Sequence, residues 1–193
     1  MQAPKKVVLA SGSRYRKDLL ARLGIPFEVI SPQCDETPLP GESPRDTALR
    51  LSVLKARAVR AAGAVVIGSD QVAECDGERL GKPGAHDAAV EQLRKLSGRV
   101  ADFHTGLAVL DTTTDKVQSR IVPCRVVFRR LDDKRIESYL RREQPYDCAG
   151  SAKAEGLGIA LIARIDTEDP TSLIGLPLIA LTEMLERAGL AVV

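Results

Sequence analysis

The sequence contains no tryptophan and no asparagine, and it has few aromatic residues of any kind, with three phenylalanines and three tyrosines. Without asparagine there is no acceptor for N-glycosylation. The two histidines, His86 and His104, are too few for a histidine-rich metal centre. Any catalysis must therefore rely on carboxylates, lysine, arginine and hydroxyl groups.

Paired cysteines and long apolar runs are also lacking. The four cysteines are far apart in the sequence, which does not fit a zinc ribbon or a redox pair and favours reduced thiols in the cytosol. No apolar run approaches the roughly 18 residues of a membrane helix. Residues 1–6 lack the apolar core of a secretory signal peptide. We therefore expect a cytoplasmic protein with no membrane partner.

The charges are balanced and dispersed. Lysine and arginine number 28 and aspartate and glutamate 26, which gives a net charge of +2. A duplex-binding protein usually has a basic stripe, so we expect no nucleic-acid partner. With 44% apolar and 28% charged residues, the composition is that of a globular protein. The length of 193 residues favours a single domain spanning residues 1–193.

Helices and strands alternate along the chain. Ser13 is predicted to cap a helix that stops at Gly24, and Ser43 a helix over residues 44–62 that begins with Pro44. Further helices are predicted over residues 86–96, 132–142 and 177–187, and strands over residues 7–10, 27–31, 64–67, 72–75, 100–110, 116–129 and 157–165. Hairpins together with crossovers indicate an α/β or α+β domain with helices flanking a mixed sheet.

A lysine interrupts the apolar face of the predicted helix 44–62. Leu51, Leu54 and Ala58 form a stripe at helical spacing, and Lys55 falls inside it. In one interpretation the lysine reaches water from the edge of the stripe. In the other, its ammonium group is held in a cleft to meet an anion. Helical periodicity alone leaves both open.

Other candidates lie where a sheet binds ligands. Asp70 ends a run that is typical of a buried strand, and ligands bind at the carboxyl ends of such strands. Residues 11–16 join a strand to a helix, which favours anion binding. Lys82 lies in one predicted loop. Asp35 and Glu36, which are adjacent to each other, lie in another. Each alone also fits an ordinary surface or turn position, but together they suit phosphate and a divalent metal. Neither a P-loop nor a dinucleotide-binding glycine motif is present.

Eight short motifs follow one another along nearly the whole chain: residues 9–16 (LASGSRYR), 35–37 (DET), 55–56 (KA), 68–71 (GSDQ), 81–83 (GKP), 105–107 (TGL), 148–151 (CAGS) and 175–178 (GLPL). In this order they resemble the Maf family of nucleotide pyrophosphatases. The resemblance implies an elongated mixed sheet with a central cleft, as in inosine triphosphatases. It also implies hydrolysis of a nucleoside triphosphate to the monophosphate and pyrophosphate with a divalent cation, Mg or Mn.

The resemblance also assigns roles to residues. Asp70 would accept a proton from the attacking water, and Glu36 and Asp70 would hold the metal. The triphosphate would be bound by three cations and two hydroxyls, namely Arg16, Lys55, Lys82, Ser11 and Ser13.

Three residues resemble the branch of the family that acts on 7-methyl-GTP: Tyr15, Gln71 and Glu155. A methylated guanine is positively charged, which favours stacking on an aromatic ring. Glu155 suits the hydrogen-bond donors of guanine better than those of uracil. Two positions depart from the pattern, because that branch usually has tryptophan where Tyr15 stands and most members have proline where Arg14 stands.

Other functions remain open at this point. The chain could be a pyrophosphatase for dTTP, UTP or another modified nucleotide, or a non-catalytic nucleotide-binding regulator of septum formation. A homodimer is compatible with the sequence but is not fixed by it. Ser52 and Lys55 also match the S-x-x-K motif of serine acyl-enzymes. We reject that hypothesis because the chain has no K-T-G motif and no export signal.

Overall fold

The computed structural model describes residues 5–193, so residues 1–4 of the stretch screened for a signal peptide lie outside the described part. Within it the strands are β1 (Lys6–Ala10), β2 (Glu28–Ile30), β3 (Ala64–Cys75), β4 (Glu78–Leu80), β5 (Val100–Asp111), β6 (Lys116–Phe128) and β7 (Ile162–Thr167). The helices are α1 (Arg14–Ala21), α2 (Pro44–Ala58), α3 (His86–Leu96), α4 (Asp133–Glu143) and α5 (Leu178–Arg187). Three 3-10 turns cover Ala149–Ser151, Leu157–Leu161 and Pro170–Ile174.

The seven strands form one mixed sheet in the order β2-β1-β3-β5-β6-β7, with β4 paired to β3. Strand β1 runs parallel to both β2 and β3, and Ala10 is paired with Gly68. The pairs β3–β4 and β6–β7 are antiparallel. The predicted α/β fold with a mixed sheet is thus confirmed. None of the helices described is both long and apolar enough to cross a bilayer.

The chain divides into two compact units. The first comprises the residues up to Gln71, Thr105–Val122 and Asp169–Val193, and the second comprises Val72–His104 and Pro123–Glu168. The prediction of a single domain stays a prediction.

In the first unit the sheet is covered on both faces. Alternate residues of β1 enter different clusters: Val7 and Leu9 lie with side chains of α1 and α5, whereas Val8 and Ala10 lie with side chains of α2. Because neighbouring strand residues point to opposite faces, a strand covered on both sides is apolar throughout. This explains the unbroken apolar run that begins β3.

Two glycines allow helix α2 to pack directly on the sheet. A Cβ atom at Gly68 would lie 2.1 Å from the carbonyl oxygen of Ser52, and one at Gly106 would lie 2.1 Å from that of Ala48. A glycine inside a strand often marks such a close approach of two backbones. The contact places α2 beside the middle of β3, and Lys55 and Asp70 both lie in this region.

We expect Gly68→Ala to destabilise the protein strongly, because the added methyl group would displace the α2 backbone. Overpacking of this kind costs about 3 kcal/mol, which lowers the melting temperature of a chain of this length by roughly 6–12 °C. The matched control is Gly81→Ala, since nothing lies within 4 Å of a Cβ atom there. Equal melting temperatures for the two variants in differential scanning calorimetry would contradict the packing argument.

The second unit combines a hairpin with two packed helices. Strands β3 and β4 are joined at Asp76 and Gly77, whose positive φ angles of 51° and 79° suit a tight hairpin turn. Helices α3 and α4 pack together. Their buried side chains include Leu93, Leu96 and Ile136. The hairpin and the range of α3 are as predicted.

Three predicted boundaries are wrong. The strands predicted over residues 64–67 and 72–75 form the single strand β3 (Ala64–Cys75), so Asp70 lies within a strand and not after its carboxyl end. Helix α2 ends at Ala58 rather than at residue 62, because Val59 adopts an extended conformation, with its side chain buried beside β3 residues. Strand β7 begins at Ile162 rather than at residue 157, because residues Leu157–Leu161 form a 3-10 turn. That turn is tight, since a Cβ atom at Gly158 would lie 2.5 Å from the Lys153 backbone. An apolar run alone does not distinguish a turn of this kind from a strand.

Candidate active site

The start of α1 presents hydroxyl groups as predicted. Ser13 caps the helix, and its hydroxyl oxygen accepts a hydrogen bond from the backbone N–H of Arg16. The Ser11 hydroxyl oxygen in turn accepts from the backbone N–H of Ser13 at 3.1 Å. Both oxygens thus act as acceptors within the loop. Their hydroxyl hydrogens have no acceptor among the described residues, which leaves them available to an anion.

The ammonium group of Lys55 lies between two carboxylates. Its Nζ donates to Asp70 Oδ1 at 2.6 Å and to Glu36 Oε2 at 2.8 Å. Lys55 is 6% exposed and Asp70 7%, so the lysine does not reach out to water as one interpretation of the helix suggested. One ammonium N–H and the Asp70 Oδ2 atom have no hydrogen-bond partner in the described part of the chain. The cluster therefore retains both a donor and an acceptor.

The Arg16 guanidinium belongs to the same cluster. Its Nε donates to the carbonyl oxygen of Gly175 at 2.8 Å, and its terminal nitrogens have no hydrogen-bond partner among residues 5–193. Burial lowers the pKa of Arg16, while the negative charges of Asp70 and Glu36 act in the opposite direction. Arginine nevertheless stays charged at neutral pH. Its two free terminal nitrogens form a fork that suits phosphate.

The loop that carries Glu36 is fastened to α2 by Glu42 and Arg50. Arg50 donates from two nitrogens to the Glu42 carboxylate, at 2.5 and 2.8 Å, and it also donates to the carbonyl oxygen of Thr37. Glu42 accepts further hydrogen bonds from the Thr47 hydroxyl and the Leu39 backbone. The hydrogen bond from Arg50 is the main cause that lowers the pKa of Glu42 to about 2. These contacts hold the loop at residues 37, 39 and 42.

This low pKa predicts an acid-dependent loss of stability. A carboxylate with a lowered pKa stabilises the fold above its ordinary pKa of 4.5, and that contribution disappears as the pH falls toward about 2. At pH 7 we expect the melting temperature of wild type to exceed that of Glu42→Gln. This difference in melting temperature should narrow between pH 4.5 and pH 2. In an Arg50→Met background the pH dependence should largely vanish. A gap that is constant with pH would contradict the assignment.

The two specificity candidates of the first unit make well-defined contacts. Gln71 Nε2 lies within hydrogen-bond distance of Thr105 Oγ1, Ser172 O and Leu173 O, at 3.0, 2.9 and 3.1 Å. Its Oε1 atom has no partner in the described residues and can accept. The guanidinium of Arg14 lies 4.8 Å from the centre of the Tyr15 ring, and it also donates to the Tyr15 hydroxyl. The Tyr15 ring is thus a surface on which a flat cation already rests.

Lys82 and Glu155 belong to the second unit, whereas the residues described above belong to the first. Both are exposed, and neither makes an ion pair within the described range. The loop around Glu155 is anchored on both sides, because Glu143 accepts from the Lys153 ammonium at 2.8 Å and from the Leu157 backbone at 2.7 Å.

Glu36 and Asp70 suit a metal that also binds phosphate. The described residues contain no group of three or more histidine, cysteine or carboxylate side chains able to enclose an ion. Mg²⁺ usually needs only one or two carboxylates and takes its other ligands from water and substrate phosphates. Two carboxylates held at one ammonium group match that donor set. The residues present therefore fit a divalent metal of this kind.

Two other nucleophiles are unsuited to chemistry here. Ser52 of the S-x-x-K match is fully buried and donates to the Leu49 carbonyl within α2, so its hydroxyl is already used. Burial and the nearby Glu36 carboxylate raise the pKa of the Cys34 thiol, which disfavours the thiolate. No disulfide is formed by the four cysteines, all of which are among the described residues.

Several residues that hold the site residues in place were not predicted from the sequence. The Ser69 hydroxyl lies 2.8 Å from Gly106 O and 2.9 Å from Gly175 O, and Gly175 O also accepts from Arg16. Ser69 and Gly175 both lie in motifs of the family resemblance. The two residues are 106 positions apart, so no local sequence pattern predicts the contact between them. The arginine that holds the Glu36 loop, Arg50, looks like an ordinary exposed-face residue of α2.

Comparison with known proteins identifies the family of this chain. The family model described as "Maf-like protein" matches residues 6–188. A protein named 7-methyl-GTP pyrophosphatase from Bordetella pertussis is 60% identical over 189 residues, which cover 97% of this chain and 94% of the relative. Proteins of the same name from Thiobacillus denitrificans and Burkholderia orbicola are 60% and 56% identical over 96% of this chain.

Among solved structures, a HAM1 protein from Coxiella burnetii is similar with a TM-score of 0.48 and 19% identity, over 66% of this chain and 75% of that one. The family assignment follows from the sequence relatives and from the family model, which spans nearly the whole chain. This chain belongs to the Maf family.

Proposed function

We propose that this chain is a pyrophosphatase that hydrolyses 7-methyl-GTP to 7-methyl-GMP and pyrophosphate, and so removes a modified nucleotide. The observation that carries the proposal is the 60% identity to relatives named 7-methyl-GTP pyrophosphatase over 97% of the chain. The reaction class is a hydrolase acting on a phosphorus-containing anhydride. The buried Lys55–Asp70 pair, with the exposed carboxylate of Glu36 beside it, supplies groups that this chemistry needs.

Asp70 is the proposed proton acceptor. Water attacks a phosphorus atom of the anhydride, the bond from that phosphorus to the bridging oxygen breaks, and the water gives up its proton. The Oδ2 atom of Asp70 supports this role. The hydrogen bond from Lys55 to Oδ1, at 2.6 Å, fixes the orientation of the carboxylate and leaves Oδ2 able to accept a proton. A positioned carboxylate is a common general base.

The triphosphate is proposed to bind the donors that the fold leaves unused. These are the ammonium group of Lys55, the terminal nitrogens of Arg16 and the hydroxyl groups of Ser11 and Ser13. Fixed donors stabilise the charge that develops on a leaving group better than mobile water does. That Lys82 contributes a further cation to the same nucleotide stays a prediction from the family resemblance.

Glu36 and Asp70 are the residues proposed to hold a divalent metal, Mg or Mn. When bound, such an ion would neutralise phosphate oxygens and act as a Lewis acid. Lys55 contacts both carboxylates and keeps them close together without the ion.

The base is proposed to be selected by Tyr15, Gln71 and Glu155. The contact of Arg14 with the Tyr15 ring supports stacking of a flat cation, and 7-methylguanine is such a cation. The free Oε1 atom of Gln71 and the carboxylate of Glu155 are both acceptors, which suit the N–H groups of guanine. Acceptors of this kind discriminate by leaving mismatched partners unpaired.

A nucleotide panel tests the activity. The purified protein would be incubated with Mg²⁺ or Mn²⁺ and 7-methyl-GTP, GTP, dTTP, UTP, CTP or ITP, and pyrophosphate release would be measured. We expect 7-methyl-GTP to give the highest kcat/KM. Preference for dTTP or UTP would retain the chemistry but reject the specificity. Binding without turnover would instead favour a regulatory role, for example in septum formation.

Glu155→Gln tests the specificity assignment. If the carboxylate accepts from the guanine edge, its loss should lower kcat/KM for 7-methyl-GTP by a factor corresponding to about 1–3 kcal/mol, and dTTP hydrolysis should change little. Asp87→Asn removes another exposed carboxylate of the second unit and serves as the matched control. An unchanged ratio of the two rates in Glu155→Gln would reject this role.

We also propose that the enzyme works in the cytoplasm on a small-molecule nucleotide rather than on nucleic acid. Whether it forms a homodimer is to be measured by analytical ultracentrifugation.

A further inference from the structure

The segment between β7 and α5 holds several side chains of the candidate active site through its backbone. It comprises the 3-10 turn Pro170–Ile174 and Gly175, whose φ of 117° suits glycine. The Gly175 carbonyl oxygen accepts from Arg16 Nε at 2.8 Å and from Ser69 Oγ at 2.9 Å. The Ser172 carbonyl oxygen accepts from Gln71 at 2.9 Å and from Thr105 at 2.9 Å. Its backbone carbonyls therefore orient Arg16 and Gln71.

One buried carboxylate fixes both ends of this segment. Asp169 is 2% exposed. Its Oδ1 atom accepts from the backbone N–H and the hydroxyl of Thr171, at 3.1 and 2.7 Å. Its Oδ2 atom accepts from the backbone N–H groups of Ile179 and Ala180, at 2.8 and 3.2 Å. The carboxylate thus ties the 3-10 turn to the first turn of α5, where backbone N–H groups lack helical partners.

Thr171 completes the connection. Its hydroxyl donates to Asp169 and accepts from the backbone N–H of Leu178 at 2.7 Å. Gly175 lies between these two anchored points, so its carbonyl oxygen has little freedom to move. A hydroxyl that both donates and accepts in this way is lost in a Thr→Val substitution and retained in Thr→Ser.

We propose that Asp169 and Thr171 are positioning residues, which fix the carbonyl group of Gly175 and thereby orient Arg16 for the substrate. This rests on the proposed function in so far as Arg16 binds the triphosphate. The effect on rate follows from geometry, because a misplacement of about 1 Å in a binding group lowers turnover by roughly 10²-fold.

The test compares Thr171→Val with Thr171→Ser using two readouts. The first is the hydrogen-exchange rate of the Arg16 Nε–H group, measured by NMR without nucleotide and assigned by its absence in Arg16→Lys. The second is kcat/KM for 7-methyl-GTP. In Thr171→Val we expect about 10-fold faster exchange and roughly 30-fold lower kcat/KM. In Thr171→Ser both should stay within about threefold of wild type.

Each outcome decides the question. Lower activity in a folded Thr171→Val with unchanged Arg16 exchange would overturn the proposal, because the effect would then bypass Arg16. Faster exchange with unchanged kcat/KM would overturn it as well. If wild type hydrolyses no nucleotide but exchange rises in Thr171→Val, the positioning of Arg16 stands and the proposed function fails. Should Thr171→Val not fold, Asp169→Glu displaces the carboxylate by one methylene group and is read out in the same two ways.

Discussion

Asp70→Asn should abolish most turnover while the protein still folds and binds nucleotide. The amide is close in size to the carboxylate, but it is a far weaker proton acceptor. A general base typically contributes 10²–10⁴-fold to the rate, so we expect kcat for 7-methyl-GTP to fall by about 10³-fold. The measurement is pyrophosphate release under saturating nucleotide, together with nucleotide affinity by calorimetry.

Asp111→Asn provides a closely matched control. Asp111 is likewise a strand residue of the first unit, is 9% exposed and is paired with a lysine, since Lys5 Nζ lies 2.8 Å from its Oδ2 atom. It makes no contact with the candidate active site among the described residues. Its amide variant should keep kcat within about twofold, because its ion pair takes no part in the proposed chemistry. A kcat for Asp70→Asn within about threefold of wild type would reject Asp70 as the base.

The sequence is informative about this site because two charged residues interrupt local patterns that are otherwise apolar. Lys55 stands out as a charge in an apolar helical stripe, and Asp70 as a charge that follows an apolar run in the sequence. A buried charge needs a partner, so two such residues in one domain are candidates for each other. Their 2.6 Å contact is what that logic predicts, although periodicity alone left an exposed lysine equally open.

The contacts that orient the cluster could not be predicted in the same way. Ser69 and Gly175 are 106 positions apart, and Arg16 and Gly175 are 159 apart. Their hydrogen bonds use backbone carbonyls, which every residue possesses and which leave no trace in composition. Only the glycines give a signal, since glycine inside a strand indicates a close approach of another backbone. Gly68 and Gly106 lie in motifs of the family resemblance, but those motifs alone do not reveal that both residues pack against α2.

Element boundaries fail for a related reason. The amino ends of α1 and α2 are fixed by local caps, Ser13 and Ser43, and both are predicted. The carboxyl end of α2 depends instead on Val59, whose side chain enters the core beside β3. A helix end set by tertiary packing has no cap residue to reveal it, and the predicted helix is therefore four residues too long.

Lys55→Met should be the most damaging single substitution for both stability and activity. Methionine fills a similar volume, but it leaves Asp70 as a buried carboxylate without its nearest cation. The second carboxylate that Lys55 contacts, Glu36, also loses its partner. Removing one member of a buried ion pair costs about 3–5 kcal/mol, which lowers the melting temperature of a chain this size by roughly 6–20 °C. Turnover should also fall, since the ammonium group proposed to meet the phosphates is gone.

Glu36→Gln gives the comparison within the same cluster. Glu36 has a side chain 54% exposed, so solvent screens its ion pair with Lys55 and its loss should cost under about 1 kcal/mol. If Glu36 holds the metal, this variant should melt close to wild type but need a much higher Mg²⁺ concentration for half-maximal activity. A large loss of stability with an unchanged Mg²⁺ requirement would reject that role.

The double variant Lys55→Met/Asp70→Asn separates stability from catalysis. Neutralising both members of a buried pair removes the unpaired charge, so the double variant should recover a large part of the melting temperature lost in Lys55→Met. It should remain inactive, because both the proposed base and its cation are missing. Recovery of activity together with stability would reject both proposed roles, that of Asp70 as the base and that of Lys55 as a phosphate-binding cation. Recovery of neither would mean that the stability of Lys55→Met is limited by packing rather than by the unpaired Asp70 carboxylate.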